Sequence, residues 1–312
     1  MYDIKIKNIT KRYDDILAVD NVSVHIPEGT IFGLLGPNGA GKSTMINMLC
    51  GLLSLDNGDI LVGSNSIKSS PHDIKKNIGY IPQEIALFEG LTVKDNLDYF
   101  GRLYGLSGTT LKARMEHALE ITELKDKRKM TVKKLSGGMK RRLNIACAIM
   151  HKPKILVMDE PTVGVDPQSR NHILEFVRKV NKDSKTTVIY TSHYMEEIEA
   201  VCDEILIMDL GRELLKGTKE EILRSVIDET YIEIKTESFN SSVSSALKSL
   251  DCVKSVSAKD SLVKIVTSSA EMNIEKIIHE FKNRNNKILN ISIKQPNLET
   301  VFLSITGKKL RD

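Results

Sequence analysis

Nine consecutive residues near the start of the chain have the types and the order that bind phosphate groups. They read GPNGAGKST and match the pattern G-x-x-x-x-G-K-[ST] in full. Glycines let backbone N–H groups turn towards phosphate oxygens, the lysine adds a positive charge, and the hydroxyl after it can hold Mg²⁺. A chance glycine-rich turn is the alternative, but an apolar strand pattern precedes this loop and a helix pattern follows it, as the motif requires. The residues are Gly36, Pro37, Asn38, Gly39, Ala40, Gly41, Lys42, Ser43 and Thr44.

A pair of carboxylates follows a second apolar segment, in the stretch ILVMDEP at residues 155–161. Asp159 can reach the Mg²⁺ held by Ser43, directly or through water, and Glu160 can polarise a water molecule towards the terminal phosphate. Two adjacent acids could also mark a strand end that turns into solvent, although the phosphate loop weighs against that explanation. Together the two motifs predict cleavage of a terminal phosphate by water.

Two further polar side chains follow strand-like segments. His193 comes just after TVIYTS, where an open α/β sheet gathers its ligands, and we expect it to hydrogen-bond the γ-phosphate. Gln83 follows IGYI; its carbonyl can bind Mg²⁺ or water, and its amide can contact a neighbouring element. On these residues alone, a plain surface turn after Pro82 explains Gln83 equally well.

A second possible anion site lies far downstream of the phosphate loop, in the stretch LSGGMKRR. Ser136 occupies the N-cap position of a helical pattern that runs from Met139, and Gly137 and Gly138 leave the backbone N–H groups uncovered. Such a helix start binds anions, because its free N–H groups and the positive end of the helix dipole point the same way. A simple capping turn is the alternative. One chain would therefore carry two phosphate sites.

Alternating strand and helix patterns position these residues. The segments IFGLLG, ILVMD, TVIYTS and EILIMD are continuous apolar runs of the kind buried on both faces of a parallel sheet. IKIKNIT and VSVHI alternate between apolar and polar residues, as strands do. Helical patterns lie at residues 42–52, 139–151, 167–182 and 194–202. This alternation predicts an α/β domain with a central sheet.

Two segments depart from the alternation. Residues from 92 to about 145 are helical and rich in charge, which predicts a helical subdomain inserted into the sheet domain. Near residue 228 the composition shifts, and short strand and helix patterns follow without a glycine-rich loop or an acidic pair. We therefore predict an α/β domain at residues 1–228 and a small C-terminal α+β domain at residues 229–312.

Composition argues against several other classes of protein. The chain of 312 residues has 45 basic and 41 acidic side chains, a balance too even for the clustered basic face of a nucleic-acid-binding protein. No apolar run approaches the roughly 20 residues of a membrane-spanning helix, and the start MYDIKIKNIT has no signal-peptide core. Cys50, Cys147, Cys202 and Cys252 lie singly in apolar stretches, which is typical of free thiols in a reducing compartment. These features predict a cytoplasmic protein without a nucleic-acid partner.

Taken together, GPNGAGKST, Gln83, LSGGMKRR, ILVMDEP, GVDP and His193 resemble the nucleotide-binding subunit of ATP-binding-cassette (ABC) transporters, in the order and spacing of that family. The resemblance covers about residues 2–225. It implies a P-loop NTPase fold of the ABC type that binds MgATP and hydrolyses it to ADP and phosphate. It also implies that Tyr13 stacks on adenine, that Gln83 links the γ-phosphate to the helical subdomain, and that Asp166 lies at a subunit boundary.

The resemblance also explains the two phosphate sites. In the family, the Ser-Gly-Gly helix start of one subunit contacts the γ-phosphate held by the phosphate loop of the other. Two copies would form a closed head-to-tail homodimer that encloses two ATP molecules. Met139 stands where the family commonly has Gln, a mild departure because the residues before it do the phosphate binding.

The end of the chain, PNLETVFLSITGKKLRD at residues 296–312, resembles drug and antibiotic exporters of the daunorubicin-resistance type. In those exporters a separate integral membrane permease carries the transport pathway. The chain would then be a peripheral protein on the inner face of the cell membrane.

Some alternatives stay open. In residues 84–105, Phe88 and Leu91 precede an amphipathic helix and either complete the subdomain core or form a groove for a short helix of the permease. A soluble ABC-superfamily ATPase acting on ribosomes or nucleic acid is a second function, although such chains usually carry two cassettes, a long coiled coil or a Cys cluster. A regulatory module that holds ATP without turnover is a third, and the presence of both Glu160 and His193 argues against it.

Overall fold

The chain divides into two compact units. The computed structural model describes residues 2–226, 230–237, 241–259, 261–268, 270–294 and 297–306. The first unit extends through Lys219, and the second begins at Glu220. The domain boundary expected between residues 228 and 229 lies outside the described residues.

The strands of the first unit form two sheets. In chain order they are β1 (Ile4–Tyr13), β2 (Ile16–Ile26), β3 (Ile31–Leu35), β4 (Asn57–Val62), β5 (Asn65–Ser66), β6 (Ile78–Ile81), β7 (Ile155–Met158), β8 (Thr187–Ser192), β9 (Glu204–Asp209) and β10 (Arg212–Thr218). The larger sheet has the order β10-β9-β3-β8-β7-β6 and is parallel except for β10. Strands β3, β7 and β8 are buried along their whole length, which confirms the parallel sheet predicted from the apolar runs.

The smaller sheet has the order β2-β1-β4-β5 and is antiparallel. Strands β1 and β2 bury one face against helix α1 (Lys42–Leu49), so apolar residues such as Ile6 and Val24 share a core with Met45. Tyr13 and Ile16 pair across the turn between these two strands. The sequence patterns predicted β1 and β2 but not β4 and β5.

Helices connect the strands of the first unit. After α1 they are α2 (Pro71–Lys75), α3 (Val93–Leu103), α4 (Gly108–Ile121), α5 (Gly137–Ala148), α6 (Pro167–Ser184) and α7 (Met195–Val201). The expected end of α1 at residue 52 was wrong, because Gly51 adopts a left-handed φ of 64° just after the helix and ends it. Likewise α5 begins at Gly137 rather than at Met139, since the Ser136 side chain caps it.

Helices α3, α4 and α5 form the inserted helical subdomain. Thr92 begins α3 with a capping box, in which its hydroxyl accepts a hydrogen bond from the Asp95 N–H and the Asp95 carboxylate accepts one from the Thr92 N–H. The three helices bury an apolar cluster of their own. Its members include Val93, Leu97, Leu111, Met115, Leu119, Leu143, Cys147 and Met150.

The second unit has the α+β character that its sequence predicted. Its elements are α8 (Lys219–Val226), which spans the boundary, then β11 (Thr230–Thr236), α9 (Ser241–Lys248), β12 (Val253–Lys259), β13 (Leu262–Thr267), α10 (Ala270–Asn283), β14 (Ile288–Lys294) and α11 (Leu298–Thr306). The sheet order is β12-β13-β11-β14, with every pairing antiparallel. The β-α-β-β-α-β succession from β11 to β14 is that of the ferredoxin-like motif.

The structure also bears on the cysteines and on membrane insertion. All four cysteines are free thiols, with Cys50 and Cys147 buried. Within the described ranges, no helix has both the length and the apolar character needed to cross a bilayer.

A buried carboxylate, Glu197 in the first turn of α7, joins three segments of the first unit. One of its oxygens accepts hydrogen bonds from the hydroxyls of Thr162 at 2.8 Å, Ser192 at 2.9 Å and Tyr190 at 3.0 Å. The Arg170 guanidinium of α6 lies 3.2 Å from the other oxygen. Burial and the charge of Glu197 raise the pKa of Tyr190 well above its usual value, so Tyr190 keeps its proton and donates. The loop after β7, the end of β8 and two helices are thereby fixed to one another.

We expect Glu197→Ala to lower the free energy of unfolding by about 2–4 kcal/mol, because three hydroxyl donors lose a buried acceptor and Arg170 loses its counter-charge. Urea denaturation followed by circular dichroism measures the change. Glu196→Ala is the matched control, since Glu196 is exposed in the same helical turn and should cost no more than about 0.5 kcal/mol. Equal stability of the two variants would contradict this account of Glu197.

Candidate active site

The phosphate loop connects β3 to α1, and its backbone requires glycine at two positions. A side chain at Gly36 would place its Cβ 2.4 Å from the Met208 carbonyl oxygen. Gly41 has a φ of 99°, and a Cβ there would lie 2.4 Å from the Ala18 carbonyl oxygen. The neighbouring strands therefore leave room only for glycine at these two positions, and a tight glycine-containing loop of this kind is suited to bind phosphate through its backbone N–H groups.

Lys42, the first residue of α1, is buried at the base of this loop. Its ammonium group donates hydrogen bonds to the carbonyl oxygens of Gly36 at 2.7 Å and Pro37 at 3.1 Å. Burial lowers the pKa of Lys42, while the charges of Glu160 and Asp159 oppose that shift. The structure thus holds one oriented positive charge inside the curve of the loop.

The two predicted carboxylates follow β7 and are arranged by Thr191 of the neighbouring strand β8. The Thr191 hydroxyl donates to Asp159 at 2.8 Å and accepts from the backbone N–H of Glu160 at 2.8 Å. Glu160 has a φ of 47°, a left-handed conformation that costs on the order of 1 kcal/mol for a residue other than glycine. Because of this strained turn, the side chains of the adjacent residues Asp159 and Glu160 point in different directions.

Two of the predicted residues, Gln83 and His193, converge on one carboxylate oxygen of a third, Glu160. The Gln83 side-chain amide donates to this oxygen at 3.2 Å, and His193 Nδ1 lies 3.5 Å from it. Gln83 follows β6 and His193 follows β8, the strands on either side of β7, so the sheet order brings them together. A largely buried carboxylate between an amide donor and an imidazole is suited to hold and orient a water molecule.

A cleft of about 490 Å³ opens at the phosphate loop. Exposed Tyr13, Ile16 and Leu210 contribute apolar surface, whereas Lys42 and Glu160 contribute charge. A ligand that carries both an aromatic ring and a polyphosphate fits this division. The lining consists of Tyr13, Ile16, Leu17, Ala18, Gln83, Glu160, Leu210 and residues 38–44.

The second predicted anion site does not line this cleft. Ser136 caps α5 by accepting a hydrogen bond from the Met139 N–H at 3.3 Å, and Ser136 and Gly137 are exposed. Among the described residues, nothing lies within 4 Å of where a Gly137 Cβ would be, whereas a Cβ on Gly138 would lie 2.1 Å from the Ser169 hydroxyl. The sequence predicted that both glycines leave N–H groups open to an anion. In the structure, Gly138 also allows close packing against Ser169.

Asp166 lies beside this second site, at the start of α6. Its carboxylate accepts from the Ser169 N–H at 2.9 Å and from the Ser169 hydroxyl at 2.7 Å, and these hydrogen bonds lower the pKa of Asp166. Ser169 therefore connects the N-terminal ends of α5 and α6. The predicted site residues fall into two groups on one chain, with Ser136, Gly137, Gly138 and Asp166 in the second.

Three polar residues that the sequence patterns did not predict support these groups. Thr191 and Glu197 hold the segments around Glu160, as described above. Arg141 of α5 donates hydrogen bonds to the backbone carbonyls of Pro82, at 2.7 Å, and Gln83. In the sequence nothing separates Arg141 from the neighbouring Lys140 and Arg142, so no local signal marks it.

Comparisons with known proteins agree with this geometry. Residues 19–163 match the family model described as ABC transporter. The chain is 43% identical over 311 residues to the linearmycin resistance ATP-binding protein LnrL of Bacillus subtilis. This alignment covers 99% of this chain and 100% of that protein. The chain is also 34% identical over 311 residues to the Nod factor export ATP-binding protein I of Ralstonia nicotianae, with 99% and 95% covered.

Solved structures share the fold. The cbiO1 protein of Clostridium perfringens, part of the cbiONQ transporter complex, has a TM-score of 0.65 at 27% identity and covers 72% of this chain and 94% of its own. A dimeric ATP-binding cassette in a post-hydrolysis state, bound to ADP and Pi, has a TM-score of 0.63 at 26% identity, with 69% and 98% covered. Because a relative matches at 43% identity along its whole length and the phosphate loop, Glu160 and the second helix start are all in place, this chain belongs to the ATP-binding proteins of ABC transporters and is an ATPase of that family.

Proposed function

We propose that this chain energises an exporter: it hydrolyses ATP as a head-to-tail homodimer and drives a separate membrane permease. The observation that carries the proposal is the placement of Glu160 between Gln83 and His193, at a cleft whose floor is the phosphate loop. The names of the whole-length relatives, linearmycin resistance and Nod factor export, support the outward direction of transport.

We assign roles to the residues of the cleft. The phosphate loop and Lys42 hold the β- and γ-phosphates, and Tyr13 offers its exposed ring to adenine. Glu160 polarises the attacking water and His193 hydrogen-bonds the γ-phosphate, where negative charge builds up. Gln83 touches Glu160 already and is placed to sense whether the γ-phosphate is present.

The oxygen donors near Lys42 fit Mg²⁺. The Ser43 hydroxyl is exposed to the cleft, and Asp159 and the side-chain carbonyl of Gln83 supply further oxygens, the atoms that this ion prefers. In the described part of the chain, no three His, Cys, Asp or Glu side chains could hold a metal ion together. Phosphate oxygens and water would therefore complete the shell, and the bound ion would neutralise charge on the β- and γ-phosphates.

The position of Ser136 supports the dimer. Ser136 and the open Gly137 form an exposed helix start outside the cleft that holds the phosphate loop. A second copy, packed head to tail, would bring this helix start over the γ-phosphate of the first, and a closed symmetric dimer would complete both sites at once. The similarity to a cassette solved as a dimer supports the same arrangement.

An exposed apolar surface on the helical subdomain supports a permease partner. Phe88, Leu91, Tyr99, Leu103 and Tyr104 are all exposed, and the rings of Phe88 and Tyr99 pack edge to face with centroids 4.7 Å apart. Exposed apolar clusters of this kind mark protein interfaces. Of the two alternatives for Phe88 and Leu91, the groove for a permease helix fits their exposure better, and such a partner would hold the chain peripherally on the inner face of the membrane.

We expect Glu160→Gln to bind ATP with an affinity within about threefold of the wild type but to hydrolyse it at least about 100-fold more slowly. The amide is nearly isosteric with the carboxylate but cannot polarise water as strongly. Calorimetric titration and steady-state phosphate release measure the two effects, with Glu196→Gln as the exposed control. Turnover at the wild-type rate would show that Glu160 is not the catalytic carboxylate.

A mixture of two inactive variants tests whether the sites are shared between subunits. Lys42→Ala removes the loop cation, and Ser136→Arg blocks the helix start, so each variant alone should fail to occlude ATP. In a mixed dimer both defects fall in one shared site, and the other site is intact. We expect each mixed dimer to occlude ATP at about half the wild-type stoichiometry. Mixed dimers that form yet occlude no ATP would contradict the shared-site dimer.

A charged substitution tests the permease surface. Leu103 is 67% exposed, so Leu103→Glu should fold and hydrolyse ATP in isolation, yet fail to co-purify with the permease because it buries a charge at the interface. Leu52→Glu is the control, since Leu52 is 61% exposed and lies outside the surface. If both variants co-purify with the permease as the wild type does, the surface is not the docking site.

A further inference from the structure

Arg141 is a buried guanidinium that ties helix α5 to the segment between β6 and α3, residues 82–92, here called the Gln83 loop. The side chain is 3% exposed. One terminal nitrogen donates to the Pro82 carbonyl at 2.7 Å, and the other donates to the Gln83 carbonyl. Burial lowers the pKa of Arg141, and no carboxylate in the described part of the chain pairs with it to offset this shift. Hydrogen bonds to two successive backbone carbonyls replace the water that would otherwise solvate the charge.

The shape of the guanidinium explains why arginine occupies this position. Its planar fork can donate to two neighbouring oxygens at once, whereas a lysine offers a single point charge. Pro82 is only half-buried and Gln83 is exposed, so water could satisfy their carbonyls if Arg141 were absent. The contact therefore constrains the loop rather than filling a gap in the core.

Arg141 connects the two groups of site residues within one chain. At one end, α5 begins at the exposed helix start of Ser136. At the other, the Gln83 side chain reaches Glu160 in the cleft at 3.2 Å. A movement of Gln83 towards or away from a γ-phosphate would thus pull on α5 through Arg141 and change the direction of its N-terminus.

We propose that Arg141 is the positioning residue that couples the two ATP sites of the dimer, by transmitting γ-phosphate contact at Gln83 to the helix start that completes the partner's site. This inference rests on the shared-site dimer proposed above. Arg141 itself touches neither the phosphate loop nor Glu160 in the hydrogen bonds that the structure gives it. Its effect on turnover is therefore indirect.

The adjacent Arg142 is the matched control. It lies on the same helix and also donates to backbone, but its acceptors are the Thr122 carbonyl at 3.1 Å and the Glu123 carboxylate at 3.3 Å. Both follow the end of α4, inside the helical subdomain. Arg142 therefore anchors α5 without reaching the Gln83 loop.

Hydrogen exchange on the full chain, at a concentration where light scattering shows monomers, tests the coupling inside one subunit. In the wild type and in R142Q, ATP should slow amide exchange in the phosphate loop, in the Gln83 loop and in α5. In R141Q, the phosphate loop should respond as before, whereas the response of α5 should fall at least about fivefold, the low end for coupling between two sites. R141K, which keeps the charge but loses the fork, should also lose the α5 response and carries the test if R141Q does not fold.

The outcomes separate this proposal from the one on which it rests. An α5 response to ATP that survives in R141Q and R141K, or is absent from the wild type, would overturn the role of Arg141. Loss of the α5 response in R142Q as well would also overturn it, because the response would then depend on any contact that anchors α5 and not on Arg141 in particular. A failure of the shared-site dimer would appear only in the mixed-variant occlusion experiment, since monomers are measured here.

Discussion

The strained turn at Glu160 is the constraint around which the first unit is organised. A left-handed residue at the end of a buried strand is unfavourable, and it persists because Thr191 holds both the Glu160 N–H and the Asp159 carboxylate. With the turn fixed, Glu160 meets Gln83 and His193 from the two neighbouring strands. The parallel sheet matters to this site because it ends three different segments at one edge.

Buried polar contacts hold the segments that leave this edge. Glu197 accepts hydrogen bonds from hydroxyls in the loop after β7 and in β8. The segments that carry Glu160 and His193 therefore cannot move independently without breaking hydrogen bonds that are buried away from water. Arg141 does the same for the Gln83 loop, through backbone carbonyls instead of hydroxyls. The segments that carry Glu160 and His193 are thus held by Glu197, and the segment that carries Gln83 is held by Arg141.

The second helix start, at Ser136, is exposed, in contrast to the buried polar contacts around Glu160. Ser136 and Gly137 are exposed, and the N–H groups of a helix start are tolerated without a protein partner only in contact with water or a ligand, so this helix start meets the physical requirement of the proposed anion site. Gly138 instead allows α5 to approach Ser169 closely, beside the capped start of α6 at Asp166. The two adjacent glycines therefore expose one side of the helix start and pack the other.

The local sequence pattern determined much of this protein. Residues within one or two turns of each other specify the phosphate loop, the apolar runs of the parallel sheet, the caps and the existence of most helices. The sequence also predicted the residues around the cleft, because motifs that bind phosphate need specific side chains at set spacings. Strands β4, β5 and β10 were not predicted. Strand β4 pairs with the distant strand β1, whereas β5 and β10 pair with the strand directly before them but have no buried residue and hence no apolar signal. Only the tertiary structure assigned Thr191, Glu197 and Arg141, whose acceptors and donors come from other elements. A buried polar residue looks in sequence like one that faces solvent, and only folding supplies the distant partner that makes its burial favourable.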